Sequence, residues 1–311
     1  MTSATLGAPA AAPTAATRTT VLSLARVETL RLARHPLFVV ASVWFLYLAA
    51  NTPFSEYANA SYDIAANGSA SETNLDWVVL PAFFLGLGGL IAMNRITTST
   101  RSSGDLVTAA PVGESRRTLA LCLACLLPAA VALVGAVYVF TFWMVDPPVQ
   151  SVSWRDFATT PNLVALMATG VLAALGGPLL GVLVGRWWQW PTAAGLTAVG
   201  LIAWSVLTIW PGGHPWGTLN HMATPFTLVA ANTEGETWLL GGSWSWRVPY
   251  LTGMCALAAL GAHAHGTEGP SRRRTALVVL VVAVLTATAL ALSVLLGPEV
   301  HPGYWDPAWL T

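Results

Sequence analysis

Residues 275–297 read TALVVLVVAVLTATALALSVLLG, and Arg272-Arg273-Arg274 stand directly before them. A helix needs about 20 apolar residues to cross roughly 30 Å of hydrocarbon, and this run is long enough. A charged side chain at the centre of such a helix costs about 2.5–3.5 kcal/mol on insertion scales; the run holds none. Its natural solvent is lipid, and the arginines at its edge mark a membrane boundary and predict its cytoplasmic side.

Working outward, six further segments follow the same rule: residues 37–50, 77–93, 119–145, 163–185, 192–210 and 248–264, all without Asp, Glu or Arg. The first is short and extends toward Phe54; the sixth is marginal. Composition agrees, with 55% apolar and only 9% charged residues among 311, where soluble domains carry roughly 25% charged. The expected fold is all-α, a polytopic transmembrane bundle of about seven spans with its N-terminus inside. A six-span alternative makes residues 248–264 re-entrant, but it strands Arg272–Arg274 on the wrong face.

Arginine sets the orientation. The chain has no Lys, and twelve of its Arg fall in segments that this topology places inside, against Arg155 and Arg247 outside. Ten of the 14 acids fall outside, although acids contribute little to the positive-inside rule. Tryptophans, among them Trp77, Trp143, Trp187, Trp188, Trp190, Trp244 and Trp246, cluster at the proposed span ends, where the indole suits the headgroup region. Residues 1–20 read as a disordered cytoplasmic tail, 21–35 as an amphipathic interface helix, 36–297 as the transmembrane domain and 298–311 as an extracytoplasmic tail.

Signatures of catalysis are missing. Without Lys there is no Walker A loop, and no H-E-x-x-H or G-x-S-x-G motif occurs; no cofactor, metal or nucleic acid is expected. Cys122, Cys125 and Cys255 lie in apolar runs and read as packing residues. His263 and His265, two residues apart, should point to different sides of a helix and read as interfacial. Asn59 and Asn67 begin glycosylation-type triplets in an outside loop. Gly177, Gly181 and Gly185 form a small-residue ladder that lets helices approach closely, within the chain or between protomers, and Pro178 sits among them. No carboxylate lies in the spans, whereas proton- and sodium-driven carriers place ionisable groups near the midplane. Uphill transport would then draw its energy from another subunit.

Two segments look made to meet something on the inner face. In residues 21–35, VLSLARVETLRLARH, a helical wheel sets Val21, Ala25, Leu32, Leu22 and Ala33 on one side and Arg26, Glu28, Arg31 and Arg34 on the other, a helix able to lie in the headgroup layer. The loop between the second and third segments carries Arg101, Gly104, Asp105, Leu106, Pro111, Val112, Glu114, Arg116 and Arg117; Pro111 should end or redirect a short helix there.

These two segments resemble the permease subunits of ATP-binding-cassette exporters of the type-two export class. Members have a helix with Arg and Glu before the first span, and a first cytoplasmic loop of R-x-x-G-x-L then P-V type followed by basic residues. Here Arg101, Gly104, Leu106, Pro111, Val112, Arg116 and Arg117 occupy those places. The resemblance covers residues 21–120; it departs in a seventh span, in lacking an acid near Arg101, and in a long outside loop over 211–247. It implies a coupling loop that docks on a cytoplasmic ATPase subunit, a second permease as partner, and export of an amphipathic molecule, a peptide or a lipid. Two other classes stay open: a membrane-embedded lipid-modifying enzyme, with Asn220, His221, Asp156 and Glu234 as its only candidates, and a non-transporting scaffold or immunity protein.

Overall fold

The computed structural model describes residues 15–67, 81–102, 113–145, 160–188, 190–207, 216–224, 229–231, 237–239 and 242–296. Among them the chain is helical: α1 (Ala15–Ala33), α2 (Pro36–Asn67), a π-helical segment π1 (Pro81–Leu87) running into α3 (Gly88–Ser102), α4 (Glu114–Ala124), α5 (Leu126–Val145), α6 (Thr160–Trp187), α7 (Ala193–Leu207), α8 (Trp216–Ala223), α9 (Trp244–Ala264) and α10 (Gly269–Leu295). One antiparallel ribbon, Val229–Ala231 against Thr237–Leu239, interrupts the helices. All seven apolar segments are helical wherever they are described.

Among the described residues, three stretches are long and apolar enough to cross a membrane alone, Glu114–Phe142, Met167–Trp187 and Gly269–Leu295, and the bent pair Val21–Ala33 with Pro36–Asn51 raises the number to four. The chain is a helical membrane protein. Its outer surface says the same, since Val40 and Val43 on α2, Val134 on α5, Leu196 and Val199 on α7 and Leu280 and Leu285 on α10 are all exposed. In water such a surface would aggregate; in a bilayer it is the solvated one.

The bundle is built around α6. In the most apolar window of α6, 61% is buried inside the protein, against 22% for α10. The reason lies in its small residues. A Cβ at Gly177 would land on the carbonyl of Gly86, and one at Gly181 on that of Leu90; one at Gly185 would come within 3.0 Å of Thr97 Cβ. The ladder thus lets α6 lie backbone-to-backbone against π1 and α3. From the other side, a Cβ at Gly89 would meet Pro178 Cγ at 2.6 Å, so Pro178 seats its ring over a glycine. Asn94 Nδ2 donates to the Gly181 carbonyl across this contact at 3.5 Å. α9 and α5 pack on the remaining faces of α6, and a core of Leu85, Met93, Leu121, Ala174, Val182 and Ala258 joins five elements. Cys125 and Cys255 are buried in that core and Cys122 packs at its edge, all three as free thiols.

Pro36 shapes the start. A residue before proline is pushed out of the α region, and proline suits the first helical position. The chain turns there, with α1 and α2 meeting at 71°. α1 begins at Ala15, inside the segment expected to be a disordered tail. Its buried face is Val21, Ala25, Glu28 and Leu32, packed along α4; Leu22 is exposed. Glu28 therefore does not share a face with Arg26 and Arg34, as expected. Seven residues are nearly two turns at 3.6 per turn, so Glu28 sits under Val21, where Arg31 Nη1 reaches its carboxylate at 3.1 Å. Trp244 also departs from expectation: it is buried rather than interfacial, being only 2% exposed.

Candidate functional site

The expected coupling loop is described only at its two edges. Arg101 falls in the last turn of α3, while Gly104, Asp105, Leu106, Pro111 and Val112 lie outside the described residues. On the far side, Gly113 caps α4, whose first turn contains Glu114, Arg116 and Arg117. Arg116 is exposed and Arg117 partly buried.

Glu114 is the centre of a polar knot. Its Oε1 accepts a hydrogen bond from Arg186 Nη1 at 3.0 Å and lies 3.4 Å from His265 Nδ1. Beside it, Ser115 Oγ sits 3.2 Å from His263 Nδ1 and 3.4 Å from Nε2. Trp187 stacks edge-to-face on His265, with ring centroids 5.4 Å apart, and its indole N–H donates to the Gly261 carbonyl at 2.9 Å. Arg186 is buried, at 6% exposure, while the Glu114 side chain is half exposed.

Local structure explains why these groups meet. Glu114 stands at the positive N-terminal end of α4, and Arg186 and His263 stand at the negative C-terminal ends of α6 and α9. The Glu114 and Arg186 charges each complement their own helix dipole, and bundling the ends lets the two complement one another. The two histidines do not diverge as expected. His263 meets Ser115 and His265 meets Glu114, so both rings reach the first turn of α4. Sequence reading counted Arg186 only as a topological marker; its position one residue past the glycine ladder was the available signal, since the ladder had to bring it against α3 and α4.

The opposite end of α9 holds a second buried cluster. Arg247 is fully enclosed; its Nη1 donates to the Met222 carbonyl at 3.1 Å and its Nη2 to that of Thr224. The hydroxyl of Tyr250 donates to the Ala223 carbonyl at 2.7 Å. Three consecutive carbonyls at the end of α8 are thereby satisfied from α9. Of the residues suggested for a lipid-modifying enzyme, Asn220 is exposed on α8, while Asp156, Glu234 and the side chain of His221 lie outside the described set. Among the described residues, no group of three or more His, Cys, Asp or Glu is disposed to hold a metal ion.

Both clusters join elements: one ties three helix ends at the arginine-rich end of the bundle, and the other ties α8 to α9. No model of a known protein family matches the chain, and no curated protein matches it.

Proposed function

We propose that the chain is the membrane-spanning permease subunit of an ATP-driven exporter in the cell membrane. It has seven spans and a cytoplasmic N-terminus, pairs with a second permease, and couples through residues 101–117 to separate ATP-binding-cassette ATPase subunits. The observation that carries this reading is the adjacency of α1 and α4. The basic helix before the first span and the helix leaving the first loop are the two segments in which the resemblance resides, and they pack along one another. A docked ATPase would touch both.

The span count draws support from the ends of α9. Its first turn adjoins the end of α10, where the Ser243 N–H donates to the Ser293 carbonyl at 2.6 Å, and its last turn reaches α4. α9 thus lies alongside α10, which favours a crossing helix over a re-entrant segment. The Glu114–Arg186–His265 contact joins three helix ends that a seven-span count puts on one side.

Affinity purification in mild detergent tests the assignment. The expected result is co-purification of a cytoplasmic subunit carrying a Walker A motif, with the association weakened by charge reversal at Arg101, Arg116 or Arg117. Retention of the ATPase and of its permease-dependent hydrolysis by all three reversals would overturn the coupling-loop assignment. Purification with no ATPase at all would favour the scaffold reading.

A further inference from the structure

The resemblance gives the first loop a docking role but does not say how a push on that loop reaches the rest of the bundle. α4 continues into α5 with only a slight break at Cys125. By covalent connection alone, movement at Gly113 would travel along α4 and α5, whereas the helix around which the bundle is built is α6. We propose that Glu114, Arg186 and His265, with Ser115 and His263 beside them, form a latch that moves the exit of the first loop, the end of α6 and the α9–α10 turn as one body. This deepens the permease reading, and its functional role rests on it; the latch as a mechanical unit does not.

Geometry and desolvation carry the inference. One carboxylate oxygen accepts a hydrogen bond from a guanidinium on α6 at 3.0 Å and lies 3.4 Å from an imidazole nitrogen in the α9–α10 turn. The neighbouring hydroxyl engages the other imidazole. Contacts from two elements therefore converge on two consecutive residues of a third. An exposed ion pair contributes little, but the Arg186 end of this one is buried, where an ionic contact is less screened by solvent. The contact should hold through motions that a surface pair would not survive. Packing closes the same seam, since a Cβ on Gly266 in the α9–α10 turn would sit 3.5 Å from both Glu114 Cγ and the Ser115 nitrogen. The turn lies directly on the first turn of α4, and Trp187 braces it from α6.

Glu114, Arg186 and His265 are thus positioning residues. They set where α6 and α9 stand when the loop is engaged, and contact neither nucleotide nor cargo. The test is hydrogen exchange on the full chain in lipid nanodiscs. Glu114→Gln is expected to speed exchange about tenfold both at residues 114–118 and at 265–268, two segments far apart in sequence. Arg186→Gln should do the same, and the double variant should add little. Arg186→Lys, which keeps the charge at the end of α6, should retain most of the protection, which keeps the test decisive if a neutral variant folds poorly. Faster exchange at 114–118 with 265–268 unchanged, or loss in Arg186→Lys equal to that in Arg186→Gln, would overturn the latch.

A second arm uses the co-purified ATPase. Arg186→Gln, outside the docking segment, should retain the subunit but lose the effect of the permease on ATP hydrolysis. Unaltered hydrolysis would remove the positioning role. If no ATPase co-purifies from the wild type, the permease reading fails, and the exchange experiment still decides the latch.

Discussion

Single residues fix how closely the helices approach. At Gly177 a methyl group would occupy the space of the Gly86 carbonyl, and overpacking of this kind costs about 1–3 kcal/mol. Gly200 on α7 has nothing within 4 Å of a built Cβ, and helix propensity alone favours alanine there by about 0.5–1 kcal/mol. Thermal unfolding in detergent should show Gly177→Ala melting below the wild type and Gly200→Ala at or above it. Equal melting of the two variants would contradict the packing described. The ladder itself was legible, because a four-residue glycine spacing marks one helix face whatever the fold. Its partner was legible only in part: Gly86, Gly88 and Gly89 leave backbone open in residues 77–93, but nothing announces that Leu90 will meet Gly181 with its carbonyl.

His35 is a second residue with a measurable signature. It sits at the α1–α2 elbow with Nδ1 enclosed and without a hydrogen-bond partner. Burial, and then the Arg95 guanidinium, hold its pKa below the ordinary 6.5. The folded chain therefore binds this proton less tightly than the unfolded chain does. Its contribution to stability is complete above 6.5 and is lost as pH falls from there through the lower folded value. Melting temperature should decline between about pH 7.5 and about pH 5.5 in the wild type, and less steeply in His35→Gln. Parallel declines would mean that the elbow histidine is not the group responsible.

At the scale of elements, the sequence displayed the helices and hid their junctions. Pro36 announced the elbow, because its effect on the preceding residue is local. Glu28 departs from the arginine side expected for it, because at nearly two turns from Val21 it lies on the buried face of α1. The Arg247 junction was invisible for a different reason: an arginine beside an apolar run reads as a boundary marker, and only the return of α8 onto α9 gives it carbonyls to bind. A helix leaves its last four carbonyls without internal partners, and hydrogen bonds from a charged donor contribute about 1.5–3 kcal/mol each. Arg247→Met keeps the aliphatic stem and removes the donors. Exchange over residues 216–224 should then accelerate by roughly tenfold or more, leaving α6 unaffected. Unchanged protection in α8 would show that its attachment lies elsewhere.

The whole molecule follows from solvent. Lipid accounts for the exposed valines and leucines of α2, α5, α7 and α10 and for the absence of charge from the seven apolar segments. That much was plain from hydropathy. The central place of α6 and the knot at Glu114 were not, since both depend on which helices become neighbours. The most direct measurement is labelling with a membrane-impermeant thiol reagent in intact cells, using Ser271→Cys beside Arg272–Arg274 and Asn220→Cys on α8. The prediction is that position 220 labels from outside and position 271 labels only after permeabilisation; labelling of position 271 in intact cells would contradict the account.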